Sequence, residues 1–132
     1  MTLYPGDQRS LANLAAAHIK AGKYAEAKDQ LEQILLQEPN HREALSNLGA
    51  IYQINNSGFT DLGKAEELYQ RGLKADPNHL KVVLNMGLLY LSTNRLPEAR
   101  DYFNRALLLN PRSEAAMDGL RKIDQALRTR GY

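Results

Sequence analysis

A chain of 132 residues that is 43% hydrophobic and 24% charged has the make-up of one ordinary folded domain, not of a disordered segment or a fibre. Seventeen Lys and Arg against fifteen Asp and Glu leave a net charge of +2, too small for the basic footprint of a nucleic-acid binder. Cysteine is absent, which excludes disulfides, thiolate nucleophiles and cysteine-held zinc together.

The opening residues, Met1-Thr2-Leu3-Tyr4-Pro5-Gly6-Asp7, carry neither the basic stretch nor the apolar core of a secretory leader, and a cytoplasmic location is expected. The longest apolar runs, such as Leu14–Ala17, are too short to insert into a membrane. Leu11, Leu14, Ala15, His18 and Ile19 follow helical spacing, and Gly22 breaks that helix. A second helix runs through Tyr24, Ala27, Leu31, Ile34 and Leu35 and stops at Glu38-Pro39-Asn40. The same alternation returns in Leu45, Leu48, Gly49, Ile51 and Tyr52, then in Ala65, Leu68, Tyr69, Gly72 and Leu73, ending at Asp76-Pro77-Asn78. It returns again in Val83, Met86, Gly87, Tyr90 and Leu91, then in Leu96, Ala99, Phe103, Ala106 and Leu107, ending at Asn110-Pro111-Arg112. No stretch alternates with the two-residue period of a half-buried strand. After Pro111, Ser113 is a plausible N-cap, and Met117, Leu120, Ile123 and Leu127 form an apolar stripe with charged residues turned away.

These stretches are copies of one unit. The three prolines Pro39, Pro77 and Pro111 lie 38 and then 34 residues apart, and Asn13-Leu14-Ala15, Asn47-Leu48-Gly49 and Asn85-Met86-Gly87 lie 34 and then 38 apart. The pattern resembles the tetratricopeptide repeat, a helix–turn–helix unit of about 34 residues with small residues at fixed places and a terminal proline. The resemblance implies an all-α fold, a right-handed alpha-alpha superhelix (a TPR solenoid) of three helix–turn–helix repeats plus a C-terminal capping helix. The repeats are expected at 8–41, 42–79 and 80–113, with a four-residue insertion within 55–60 and the cap at 113–128. Close packing is the physical reason for the pattern, with Gly49 expected against Ala65 and Gly87 against Ala99.

Chemistry is sparse. His18 belongs to a helix core face, His41 and His79 occupy matching turns, and no metal-binding, phosphate-binding or nucleophile motif is present. The expectation is a protein that is not an enzyme and has no cofactor and no metal site. In a curved array the first helix of each repeat lines the hollow side, which places Asn13, Asn47 and Asn85 in a column. Side-chain amides about 10 Å apart would meet an extended peptide at roughly every third residue and bond its backbone on both sides. Lys81, Leu84 and Leu88 share the groove face in repeat 3, where the leucines either anchor an apolar partner side chain or pack within the array. Phe59, a large apolar residue in the polar insertion, either folds back onto its own repeat or offers an edge contact to a partner. Chaperone-adaptor members of the family hold a C-terminal carboxylate with lysine, arginine and asparagine at five groove positions. Here Asn47 and Lys81 match two of them, whereas Ala12, Ala16 and Asn85 depart from the pattern, which argues against such a clamp. The expected function is a protein-interaction scaffold that binds a peptide segment or helix in the groove, with no nucleic acid. The alternative is a self-assembling unit that forms homo-oligomers through repeat 3 and the capping helix.

Overall fold

The computed structural model describes residues 8–54 and 56–129; Asn55 of the expected insertion and the opening residues 1–7 lie outside them. Among the described residues there are seven helices and no strand: α1 (Gln8–Lys20), α2 (Tyr24–Gln37), α3 (Arg42–Gln53), α4 (Leu62–Ala75), α5 (Leu80–Ser92), α6 (Leu96–Leu109) and α7 (Glu114–Thr129). They fall into two compact units that divide after Pro77.

Local chemistry sets the helix ends. Gly22 has φ +78, the left-handed conformation that only glycine adopts freely, and follows α1. Its N–H donates to the Ile19 carbonyl at 3.0 Å while the Lys23 N–H reaches the His18 carbonyl at 2.7 Å, a Schellman closure. The same closure ends α5, where Asn94 takes φ 65, its N–H bonds the Leu91 carbonyl and the Arg95 N–H bonds the Tyr90 carbonyl. Asparagine is the residue other than glycine that best tolerates this conformation. The second helices α2, α4 and α6 each stop one residue before a proline, at Glu38, Asp76 and Asn110, whose extended backbone is what a following proline ring demands. Among the described residues, three helix starts carry side-chain caps. His41 Nδ1 accepts from the Ala44 N–H, Asp61 Oδ1 from the Lys64 N–H, and Ser113 Oγ from the Ala116 N–H. Pro97 stands in the first turn of α6, where its missing N–H costs no hydrogen bond.

In the first unit α1 packs on α2 and α3, and α3 packs on both α2 and α4. Ala15, Ala27, Leu31, Ala44, Leu45, Ile51, Ala65 and Tyr69 are fully buried there. In the second unit α5 packs on α6, and α7 packs on both, around Val82, Val83, Met86, Phe103, Ala116 and Ile123.

Two expectations about packing are corrected. The atoms nearest the glycines belong to rings and not to Ala65 or Ala99. A Cβ on Gly49 would come within 2.6 Å of Tyr69 Cε1, and one on Gly87 within 2.7 Å of Phe103 Cε1. Each glycine is therefore a seat for the aromatic ring carried by the second helix of its pair, one turn beyond the alanine. The buried face of α7 departs from the expected stripe at its start: Ile123 is buried and Leu120 and Leu127 are half-buried as expected, but Ala116 and Gly119 are buried in place of Met117, which is 43% exposed. Gly119 is a second seat for Phe103, because any Cβ there would overlap the ring. Phe103 thus lies between a glycine of α5 and a glycine of α7, at the close packing density of a protein interior.

Candidate functional site

The first helices of the pairs are α1, α3 and α5. On α1, Asn13 is exposed beside the buried Ala12 and the half-buried Ala16. On α3, Asn47 is only 5% exposed and Ser46 is fully buried. On α5, Lys81 is exposed, Leu84 and Asn85 are half-buried, and Leu88 is exposed. Steps of three and four residues bring Lys81, Leu84, Asn85 and Leu88 to one side of that helix. Within the second unit the structure thus brings four of the expected residues onto one helix face, and within the first it presents Asn13 while covering Asn47.

The first unit also holds an open cleft of about 530 Å³, lined by Arg9, Ala12 and Asn13 of α1, Glu38 and His41 of the α2–α3 turn, and Arg42 and Glu43 of α3. Arg42 is bound from within the unit: one guanidinium nitrogen meets Asp76 Oδ2, and its Nε lies 3.4 Å from Glu43 Oε1. Arg71 donates to the Pro39 carbonyl at 2.9 Å and so holds the turn that forms one wall. Glu38, His41 and Arg42 were not among the expected site residues. Two of them sit in a turn outside every helical face, and the only signal for them is their return as Asp76, His79 and Leu80 in the next period.

Phe59 is half-buried. Its ring lies under the Lys28 ammonium of α2, 5.3 Å from the ring centroid, and its N–H donates to Ser57 Oγ. Burial works against the Lys28 charge, but the hydrogen bond and charge of Glu32, with Tyr52 and Asp29, together outweigh that cost and raise the ammonium's pKa above the ordinary lysine value. His18 is half-buried, and its Nδ1 lies 3.0 Å from Oε1 of Gln30, itself 2% exposed. Among the described residues no group of three or more His, Asp or Glu is placed to hold a metal ion, and no helix is long and apolar enough to cross a membrane.

A sequence model of the tetratricopeptide repeat matches residues 1–54 and 59–123. A search of curated proteins returned no match. Among solved structures, the first TPR of Spaghetti (RPAP3) bound to the HSP90 peptide SRMEEVD is 25% identical, with TM-score 0.82 over 92% of this chain and 93% of that one. The Sgt2 TPR domain from Aspergillus fumigatus is 22% identical, with TM-score 0.82 over 96% of this chain and 83% of that one. An O-GlcNAc transferase from Thermobaculum terrenum is 22% identical, with TM-score 0.80 over 88% of this chain but 22% of that one. Seven helices arranged as paired repeats, glycine seats for aromatic rings at the repeat spacing, and a family match over most of the sequence lead to one conclusion: the chain belongs to the tetratricopeptide repeat family.

Proposed function

We propose that the chain is a non-catalytic protein-interaction module that holds a peptide segment or helix against its first helices. The accessible amides, Asn13 in the first unit and Asn85 in the second, bond the partner's backbone, Lys81 adds a charge, and Leu84 and Leu88 take its apolar side chains, while Asn47, buried, is left out of the contact. The observation that carries this reading is the exposed face of α5, where Leu88 stays 39% accessible beside Lys81 and Asn85 instead of being packed away. The Spaghetti relative, alike over nearly its whole length, is itself bound to a peptide. A grip like that on an acidic C-terminal tail is not the reading, because Ala12 and Ala16 bring no lysine or asparagine and Asn85 stands in place of an arginine.

The burial of Asn47 shifts the test to the two accessible amides. Asn13→Ala with Asn85→Ala should lower the yield of the wild-type partners in a pull-down from native extract, with the melting temperature unchanged. Equal recovery by the double variant would overturn the reading.

The second reading, self-assembly, rests on Leu108, Leu109 and Met117, which are 84%, 38% and 43% exposed at the end of α6 and the start of α7. Light scattering at high micromolar concentration tests it, and a strict monomer removes it.

A further inference from the structure

Among the described residues, one of the three side-chain caps is made by a group that changes charge near neutral pH. His41 Nδ1 accepts from the Ala44 N–H at 3.2 Å, whereas α4 and α7 begin on the Asp61 carboxylate and the Ser113 hydroxyl. An imidazole nitrogen accepts a hydrogen bond only while it carries no proton, so this bond requires the neutral ring with its hydrogen on Nε2. A proton taken up at Nδ1 turns the acceptor into a donor that faces another donor. The positive charge also opposes the partial positive charge of the helix N-terminus.

What lies under the cap makes its loss matter. Ala44 is fully buried, so no water reaches its N–H, while Lys64, capped by Asp61, is exposed. The backbone presets the ring: the His41 N–H donates to the Glu38 carbonyl at 3.1 Å, and Arg71 of α4 donates to the Pro39 carbonyl. The ring is half-buried and lines the open cleft, where solvent protons have access to it. Arg9 of α1, Glu38 at the end of α2, and Arg42 and Glu43 of α3 line the same cleft, and Asp76 beyond α4 pairs with Arg42. Carboxylates and guanidiniums ordinarily keep their charge between about pH 7.5 and 5.5, whereas histidine changes its charge in that range. His79 holds the matching position before α5, yet its side chain makes no cap bond on that helix.

We propose that the His41 cap is a pH-sensitive latch on the first turn of α3: the neutral imidazole closes the turn over the buried Ala44 N–H, and protonation of Nδ1 releases it. The turn that opens forms one wall of the first unit's cleft, so mild acid loosens the unit at that wall and leaves the caps of α4 and α7 in place.

The test compares the full chain with its His41→Asn variant, because asparagine is as good a cap as any and does not titrate. Urea unfolding of both is followed at about pH 7.5 and about pH 5.5. On going to the lower pH, the wild type's folding equilibrium constant should fall about fivefold relative to the variant's, the ordinary worth of one cap. His18 and His79 are common to both proteins and cancel in that ratio. Nitrogen-15 NMR of the wild type supplies a readout that needs no variant. The neutral His41 ring should carry its hydrogen on Nε2, and the Ala44 amide signal should move in step with the imidazole titration. A ratio that is the same at both pH values, a neutral ring protonated on Nδ1, or an Ala44 signal that ignores the titration overturns the proposal.

Discussion

In the first helix pair Ala15 and Leu31, sixteen residues apart, hold the places that Gly87 and Phe103 hold in the third, and all four are buried. Three residues after Ala15 comes His18, hydrogen-bonded to Gln30; at the same steps from Gly87 stand Tyr90 and Tyr102, whose ring centroids lie 5.5 Å apart. The helices of both pairs are packed, but the first pair buries a leucine and an alanine beside a polar bond, and the third sets a ring over bare backbone beside a ring pair. The second pair uses Gly49 with Tyr69, whose hydroxyl donates to Gln53. The size of one residue therefore decides its partner: an aromatic ring needs a glycine opposite, and leucine leaves room for alanine.

The largest effect should come from removing the ring. Phe103→Ala is expected to cost about 3–5 kcal/mol in urea unfolding, at or above the loss from Leu31→Ala, because two glycines were left bare for it. Filling a seat comes next. Gly87→Leu should cost about 1–3 kcal/mol or more by overpacking, and the smaller loss in Gly87→Ala should be largely rescued by Phe103→Leu, which gives the third pair the chemistry of the first. If rescue fails in a double-mutant cycle, ring and glycine are not coupled as described. Gln30→Met, which removes the amide partner of His18, should cost about 0.5–1.5 kcal/mol by thermal melting.

The smallest effect is electrostatic and lies at the start of α6. There the Arg95 guanidinium, 3.0 Å from Glu98 Oε2, holds that carboxyl below the ordinary glutamate value. A lowered value means stability that is present above the unfolded-state pKa and is lost as pH falls through the folded one. Arg95→Met should raise the Glu98 titration, followed by NMR, toward the ordinary value. The first pair carries Lys23 and Glu26 at the matching positions of α2, where lysine replaces the planar guanidinium.

Helix number, pairing and stops were legible because proline after Glu38, Asp76 and Asn110 forbids continuation and because a repeat shows its own period. The partner of each glycine was not, since periodicity identifies a face but does not say which atom across it is nearest. Gly119 gave no hydrophobic signal at all, and the buried face of α7 was accordingly read one residue round, onto Met117. In the candidate site the exposed Asn13 and Leu88 agree with a simple count along a helix. The burial of Asn47 could not be counted along its own helix, because burial depends on what the rest of the fold lays against that face. Arg9, Ala12, Asn13 and Glu43 of the cleft could be counted onto a helix face, but Glu38 and His41 could not, because they enter it from a turn where no helical period applies.

One ring seated on two helices has a kinetic consequence. Because Phe103 is carried by α6 and locked by glycines of both α5 and α7, none of the three can loosen without emptying the same slot. Their slowest amide hydrogens should exchange with solvent together, as a single cooperative opening. Evolutionary change at this point is tied in the same way, since a bulkier side chain at either glycine is tolerable only after the ring has shrunk.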